Sequence, residues 1–211
     1  MTVRLIVNAD DLGYTDGVNR GIVEAHRRGI VTSTSLMVDH PAAAHGVDLA
    51  SGEPRLGIGL HAVVDDVQPE RLDAELERQL VRFRALVGRE PTHVDSHHHA
   101  HRDTALRGGF EAFAHRHRLP LRDREARHDG SFYGAQVVTV ERLLALLRTI
   151  VEDPTELGCH PGHAEGLRSS YTTERELELA TLTDPRVRAT VHELGVRLVH
   201  WGELMCGRSP D

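Results

Sequence analysis

The 211-residue sequence predicts an α/β protein with a parallel sheet core, either a barrel or an open sheet of about seven strands. Short apolar, β-branched segments alternate with amphipathic segments from one end of the chain to the other. No linker-like, low-complexity or repeated segment interrupts this alternation. We therefore expect a single domain, residues 1–211, whose core needs neither disulfides nor a structural metal.

The first unit shows a strand and both ends of a helix. Val3–Val7 is apolar and β-branched, and Thr15 or Asp16 is suited to cap the helix that follows. That helix is predicted to run to Arg28, where Gly29 can end it. The next two units are predicted as strands Ser33–Val38 and Leu56–Leu60, a helix Pro41–Ser51, and a helix from Pro69 to Val87 with apolar residues at helical spacing.

The second half of the chain continues the alternation. The predicted strands are Thr92–Val94, Leu119–Arg122, Glu156–Cys159 and Gly195–Val199. The predicted helices are Ala105–His115, Val140–Val151, Thr172–Leu182 and Pro185–Leu194.

The composition narrows the class of partner. The formal charge of −7, from 25 basic and 32 acidic residues, argues against nucleic acid and anionic membranes, and favours a small neutral substrate. The apolar start is too short for a signal peptide, and no segment approaches the length of a membrane span. Two cysteines, Cys159 and Cys206, are too few for a disulfide framework. We expect reduced thiols and a cytoplasmic protein.

A run of histidines indicates a metal site. Residues 93–101 hold five of the sixteen histidines together with Asp95, and the run is internal, unlike a purification tag. Imidazole suits borderline divalent metals, and carboxylates extend the range to magnesium and manganese. The alternative is a loop of solvated histidines.

Polar residues cluster at the carboxyl ends of the predicted strands, where parallel βα barrels build their active sites. The residues concerned are Asp10 and Asp11 after the first strand, His61 after the third, His97 after the fourth, Arg122 closing the fifth and His160 after the sixth.

Adjacent carboxylates repel each other unless a cation or a shared proton offsets the repulsion. One of Asp10 and Asp11 could bind a metal and leave the other as a base in metal-assisted hydrolysis. The alternative is a solvated acidic pair at a helix N-terminus. With His61 and one imidazole of the histidine run, Asp11 would complete an Asp-His-His set that leaves positions open. His160, outside that set, could donate a proton to a leaving group.

Nucleophilic catalysis is the weaker interpretation. Cys159 precedes His160, but adjacent strand residues point to opposite faces. The chain has neither a Gly-x-Ser-x-Gly turn nor a phosphate-binding glycine loop.

Five motifs together resemble the YdjC-type carbohydrate deacetylases, which include chitooligosaccharide and hopanoid-biosynthesis deacetylases. They are Asn8-Ala9-Asp10-Asp11-Leu12-Gly13, Gly29 to Ser35, Gly59-Leu60-His61, Pro91 to His101 and Cys159-His160-Pro161-Gly162. The resemblance covers nearly the whole chain in order. It implies a distorted βα barrel and metal-dependent removal of an acetyl group from an N-acetylated sugar.

Carried over residue by residue, the resemblance implies one divalent metal, and the chemistry of its ligands suits zinc or magnesium first and manganese or cobalt next. Asp11, His61 and His97 would be its ligands, Asp10 the base acting on the water that the metal activates, and His160 the acid that protonates the departing amine. Arg122 would orient Asp10 or substrate, and three residues would lie behind the ligands or contact substrate: Asp95, His99 and His101.

Two departures from the family pattern concern packing and substrate. Leu12 stands where phenylalanine is usual. The segments Ala62–Pro69 and the region before Gly158 are short where relatives carry substrate-binding loops, so the resemblance implies the reaction class and leaves the substrate open. A small acetylated sugar is the expected partner, and a homodimer would fit, since relatives associate and a neighbouring subunit could complete a shortened site.

Two rival functions stay open at this point. A metal phosphoesterase of another histidine-rich barrel family would need two or three metals and more ligands. A non-catalytic sugar-binding relative would need neither Asp10 nor His160.

Overall fold

The computed structural model describes residues 3–204 except Arg168. Its seven strands are β1 (Arg4–Leu12), β2 (Ser33–Leu36), β3 (Gly57–Ala62), β4 (Val94–Ser96), β5 (Arg127–Asp129), β6 (Thr155–Cys159) and β7 (Arg197–Leu198). All of their pairings are parallel, in the order β4-β3-β2-β1-β6-β5, and β7 pairs with the start of β1. The predicted parallel α/β fold is confirmed. Because β4 and β5 are the ends of this order, the structure is a distorted, incompletely closed barrel.

Seven α-helices of the described residues surround the sheet. They are α1 (Asp16–Arg28), α2 (Ala43–Ser51), α3 (Pro69–Val87), α4 (Arg107–His117), α5 (Val140–Thr149), α6 (Thr173–Leu182) and α7 (Pro185–Glu193), with 3₁₀ helices at His97–Arg102 and Trp201–Leu204. Within the described residues, no helix combines the length and apolar character that crossing a membrane requires.

The predicted ends of two helices are confirmed. Thr15 caps α1 by accepting a hydrogen bond from the backbone N–H of Val18 at 3.2 Å, and the N–H of Gly29 closes the other end. Helix α3 ends at Gly88, whose φ of +73° is the left-handed conformation that glycine adopts without strain. Local chemistry is enough to fix these ends.

The predicted strand Leu119–Arg122 is wrong. Leu121 makes a single bridge to Val94, and the fifth strand lies further along, at Arg127–Asp129. This strand is an edge of the sheet and is charged and partly exposed, so it lacks the apolar pattern of a buried strand. The apolar Leu119 and Leu121 are buried in the core without forming a regular strand.

The first strand is longer than predicted and carries an irregularity. Three steps along β1, from Ala9 to Leu12, match two steps along β2, and Asp11 has a φ of +71°. This is a bulge, with one extra residue on β1. Asp10 and Asp11 therefore lie inside the strand, where sequence reasoning placed them after it.

Candidate active site and metal centre

The bulge in β1 brings two adjacent carboxylates to one cavity. Successive strand residues normally point to opposite faces, but the left-handed backbone at Asp11 turns its side chain to the side of Asp10. Both residues line a cavity of about 350 Å³, and both are at most 4% exposed. The two carboxylates contact different side chains: His61 and His97 approach Asp11, and Arg122 binds Asp10.

His61 is held by Asp95 on the neighbouring strand. The register of β3 and β4 places the two residues side by side, and His61 Nδ1 donates a hydrogen bond to Asp95 Oδ1 at 2.7 Å. This fixes the tautomer and directs His61 Nε2 to Asp11 Oδ1, 3.3 Å away. Ser35 donates to the other oxygen of Asp95 at 2.9 Å.

His97 approaches the same oxygen from the 3₁₀ helix that follows β4. Its Nδ1 lies 3.5 Å from Asp11 Oδ1. The next two residues, His98 and His99, have φ values of 51° and 54°, so the chain turns sharply away after His97. One member of the histidine run thus faces Asp11, as expected.

Asp11, His61 and His97 fit a divalent metal. Asp11 Oδ1 is buried and accepts no hydrogen bond, although two imidazole nitrogens lie within 3.5 Å. Two atoms that each lie about 2.1 Å from a tetrahedral ion are separated by about 3.4 Å, so these spacings are typical of ligands sharing one ion. Imidazoles suit zinc and cobalt, and the carboxylate extends the range to magnesium and manganese.

The electrostatics of this set favour an added positive charge. Burial lowers the pKa of His61, but the carboxylates of Asp95, Asp11 and Asp10 outweigh it and raise that pKa to about 10. Burial raises the pKa of Asp11, yet the neighbouring imidazoles of His61 and His97 and the charge of Arg175 leave it well below its ordinary value. The site attracts a proton where a cation would bind.

Among the residues that the structure describes, two other groups of ligating atoms are less suitable as a metal site. Asp10 and Asp95, which approach His61, are both bound to Arg122. Asp65 and His98, which approach His97, are exposed.

Arg122 anchors Asp10. Its guanidinium is buried and donates to both oxygens of Asp10, at 2.7 and 2.8 Å. It also pairs with Asp95 and Glu156, each at 2.8 Å. Burial raises the pKa of Asp10, but the charge and hydrogen bonds of Arg122 have the larger effect and lower that pKa far below its ordinary value. Asp10 is therefore a carboxylate of fixed orientation.

His160 follows β6 directly and faces Asp10 across the cavity. Its Nε2 lies 3.9 Å from Asp10 Oδ2, and its Nδ1 lies 4.0 Å from Glu178 Oε1. Burial lowers the pKa of His160, and the charges of Asp10 and Asp11 only partly offset this. The imidazole is neutral near neutral pH.

The remaining predicted residues lie in different places. His99 is partly buried in the cavity wall, and burial, then the charge of Arg122, lowers its pKa to about 4. His101 is buried behind the cavity, where its Nδ1 bonds to Ser96 Oγ at 2.7 Å and its Nε2 to Asp123 at 3.0 Å.

Sequence reasoning missed several residues of the cavity region, and three of them are linked by hydrogen bonds to Asp11, to His160 or to each other. Arg175 Nη2 lies 2.5 Å from Asp11 Oδ2, which leaves Oδ1 free. Glu178, one turn further along α6, accepts the backbone N–H of His160 and the hydroxyl of Tyr171. Arg175 and Glu178 belong to an ordinary charged helix, and nothing in their spacing showed that this face is buried.

Cys159 is not placed for nucleophilic chemistry. It is fully buried, its Sγ donates to the carbonyl of Asn8 at 3.3 Å, and burial raises its pKa well above the ordinary value. Cys206, the other expected thiol, lies outside the described residues.

Comparisons with known proteins agree on one family. The model of the YdjC-like protein family matches residues 4–74 and 63–193. A carbohydrate deacetylase of Geobacillus stearothermophilus is 39% identical over 94% of this chain and 96% of its own. A chitooligosaccharide deacetylase of Serratia marcescens is 34% identical over 95% and 98%.

Solved structures share the fold. A crystal structure from Enterococcus faecalis V583, described there provisionally as a cellobiose-phosphate cleavage protein, superposes with a TM-score of 0.89 at 28% identity, over 97% of this chain and 99% of that one. A family 4 carbohydrate esterase of Streptomyces lividans, in complex with acetate, shares the fold at a TM-score of 0.62 and 12% identity, over 94% and 91%. With the family model and these relatives covering nearly the full length, the chain belongs to the YdjC-like family.

Proposed function

We propose that this protein is a metal-dependent hydrolase that removes the N-acetyl group from an acetamido sugar or sugar conjugate and gives a free amine and acetate. The observation that carries the proposal is the buried Oδ1 of Asp11, which has no hydrogen-bond partner and is faced by His61 and His97. Beside it lie the carboxylate of Asp10, which Arg122 holds in place, and the neutral imidazole of His160. The names of the relatives support the reaction class. We further propose that residues 1–211 act as one catalytic domain.

Asp11, His61 and His97 would hold one divalent ion, zinc or magnesium first and manganese or cobalt next. When bound, the ion would supply a Lewis acid that polarises the acetamide carbonyl and lowers the pKa of water. Asp95 and Arg175 orient two of the ligands from behind.

Asp10 would act as the base. Arg122 keeps its carboxylate ionised and fixed, so it can take a proton from the water whose oxygen forms a bond to the acetamide carbon. Its low pKa makes it a modest proton acceptor, and it must pass the proton on.

His160 would complete the transfer. Its nitrogen Nε2 lies 3.9 Å from Asp10 Oδ2, so a small rotation would bring it within reach of the proton. Because His160 is neutral at rest, it can receive that proton and then give it to the nitrogen as the C–N bond breaks. One proton thus moves from water to the departing amine, and both residues return to their initial states.

Shorter loops support a substrate that differs in size from those of the relatives. The family match divides into two segments that overlap at 63–74, within and after the short stretch between β3 and α3. The Geobacillus relative aligns over 238 positions against 211 residues here, so the relative has stretches that this chain lacks. The cavity of about 350 Å³ is near the lower end of small-molecule sites, about 300–1,000 Å³.

Acetate release from a panel of acetamido sugars tests the proposal. Asp10→Asn is expected to lose turnover by about 10²–10⁴-fold while retaining metal, and His61→Ala to lose the metal itself. Metal analysis should give about one ion per chain. Full activity of Asp10→Asn would contradict the assignment of the base.

The same samples separate the rival functions. Two or three ions per chain, with hydrolysis of phosphate esters, would indicate a phosphoesterase. Sugar binding without acetate release from any substrate would indicate a non-catalytic relative.

A further inference from the structure

Tyr133 is the one exposed aromatic residue at this site. The eight phenylalanine, tyrosine and tryptophan residues of the chain all lie within the described residues, and Tyr133, with 54% of its surface exposed, is the exposed one among them. It lines the cavity that holds Asp10 and His160. An aromatic face left in water at the edge of a pocket is typical of a ligand contact.

The ring of Tyr133 is held in place by Tyr171, which covers one of its faces. It stacks on Tyr171, with centroids 4.4 Å apart and planes 5° apart. The hydroxyl of Tyr171 donates to Glu178 at 2.6 Å and accepts the backbone N–H of Gly134 at 3.0 Å. Since Gly134 follows Tyr133, the same hydroxyl also anchors the backbone of the exposed ring.

The neighbouring residues fix the direction of Tyr133 as well. Phe132 is 2% exposed and anchors the segment in the core. Gly134 has a φ of +97°, a conformation that other residues rarely adopt. Tyr171 covers one face of Tyr133, so the exposed area belongs to the other face and the ring edge.

The position relative to His160 indicates which part of the substrate meets this ring. The centroid of Tyr133 lies 5.4 Å from that of His160, in an edge-to-face arrangement. The proposed role of His160 is to protonate the amide nitrogen. That nitrogen joins the acetyl carbon on one side to the sugar ring on the other. The group next to His160, away from the acetyl carbon, is therefore the sugar ring.

We propose that the free face of Tyr133 is a stacking subsite for the pyranose ring that carries the acetamide. Pyranose rings present axial C–H groups on their faces, and the electron-rich face of an aromatic ring attracts such positively polarised hydrogens. This inference rests on the proposed function. It adds a residue that recognises the sugar to a site where the other residues discussed are proposed to bind the metal or transfer protons.

Steady-state kinetics with N-acetylglucosamine test the subsite. Tyr133→Ala is expected to raise KM about tenfold with kcat within about twofold of the wild type, the loss that one aromatic contact typically gives. Tyr133→Phe, which keeps the ring, should behave like the wild type. Val81→Ala, which trims an exposed side chain on α3, is the matched surface control and should change neither constant.

A substrate without a ring separates stacking from general damage. N-acetylethanolamine carries the same acetamide, and Tyr133→Ala should hydrolyse it at the wild-type kcat/KM. Equal KM for N-acetylglucosamine in the wild type and Tyr133→Ala would overturn the proposal. So would an equal loss of activity on both substrates, or a Tyr133→Phe variant as impaired as Tyr133→Ala.

The subsite can fail or stand independently of the proposed function. If the wild type releases no acetate, the dissociation constant of N-acetylglucosamine is measured by calorimetric titration of the same variants. A constant about tenfold higher in Tyr133→Ala alone would support the subsite although the reaction class was wrong. No binding, or equal binding by all variants, would overturn it.

Discussion

Asp95 is the residue through which the neighbouring strand acts on the proposed metal ligands. Its Oδ1 accepts a hydrogen bond from His61 Nδ1 at 2.7 Å, which leaves the Nε2 lone pair facing Asp11 and free to bind a metal. A carboxylate in this position raises the basicity of the imidazole and fixes its orientation. Asparagine would remove the negative charge and offer only a neutral acceptor.

Asp95→Asn is expected to weaken metal binding about 10–100-fold, because His61 becomes a poorer and less well oriented donor. Competition with a chromophoric chelator measures the dissociation constant. Asp123→Asn is the matched control, since Asp123 also binds a histidine and an arginine, His101 and Arg102, away from Asp11. A dissociation constant that moves equally in both variants would contradict the prediction.

At this scale, the sequence predicted residues that belong to a local motif. Asp10, Asp11 and His97 stand in short, distinctive segments, and the structure brings them together around one cavity. Arg175 is different, because it meets Asp11 from a position 164 residues away. Its helix shows charged residues at ordinary spacing, and only tertiary packing shows that this charge is buried.

At the scale of elements, strand β3 packs tightly against His93, the residue before β4. Gly59 lies in β3, and a methyl group at its Cα would overlap the imidazole of His93. That imidazole is buried and stacks on Trp201 at 5.1 Å, so it has little freedom to move away. The absence of a side chain at Gly59 is thus a packing requirement in the strand that carries His61.

Gly59→Ala is expected to lower the free energy of unfolding by about 1–3 kcal/mol through overpacking. Gly108→Ala is the matched control in α4, where no neighbouring atom lies within 4 Å of the added methyl. It should instead raise the stability by about 0.5–1 kcal/mol, since glycine is unfavourable in a helix. Both values come from urea unfolding, and equal stability of the two variants would rule out the packing argument.

Elements were predictable where local chemistry decides them. Thr15, Gly29 and Gly88 mark helix ends through their own hydrogen bonds and backbone preferences. Strand β5 was missed because an edge strand needs no apolar pattern, while the apolar Leu119–Arg122 segment next to it has one. The bulge at Asp11 was also missed, since the register between two strands depends on both of them.

For the whole molecule, buried charge links stability to pH in two opposite ways. Arg122 lowers the pKa of Asp10, Asp95 and Glu156 against the effect of burial. Their contribution to stability is present above their ordinary pKa values and is lost as the pH falls. Acid should therefore lower the free energy of unfolding by protonating these three buried carboxylates around Arg122.

Glu178 has the opposite sign. Burial raises its pKa, hydrogen bonds from Tyr171 and the His160 backbone offset only part of this, and the result is about 7 against an ordinary 4.5. The folded state thus holds a proton that the unfolded state has released between these values. The stability that this proton gives is fully present below about pH 4.5 and is lost as the pH rises through about 7.

Glu178→Gln removes that titration and keeps a side chain able to accept the Tyr171 hydroxyl. Relative to the wild type, the variant is expected to gain stability as the pH is raised from 4.5 to 8, by about 3 kcal/mol at most, because it has no charge to bury. Urea unfolding of the chelator-treated protein at several pH values measures the difference. Glu176→Gln removes an exposed carboxylate of the same helix and should leave the pH dependence of the wild type in place. A constant stability difference between Glu178→Gln and the wild type across this range would mean that Glu178 stays ionised in the folded state, with Arg175 compensating its burial.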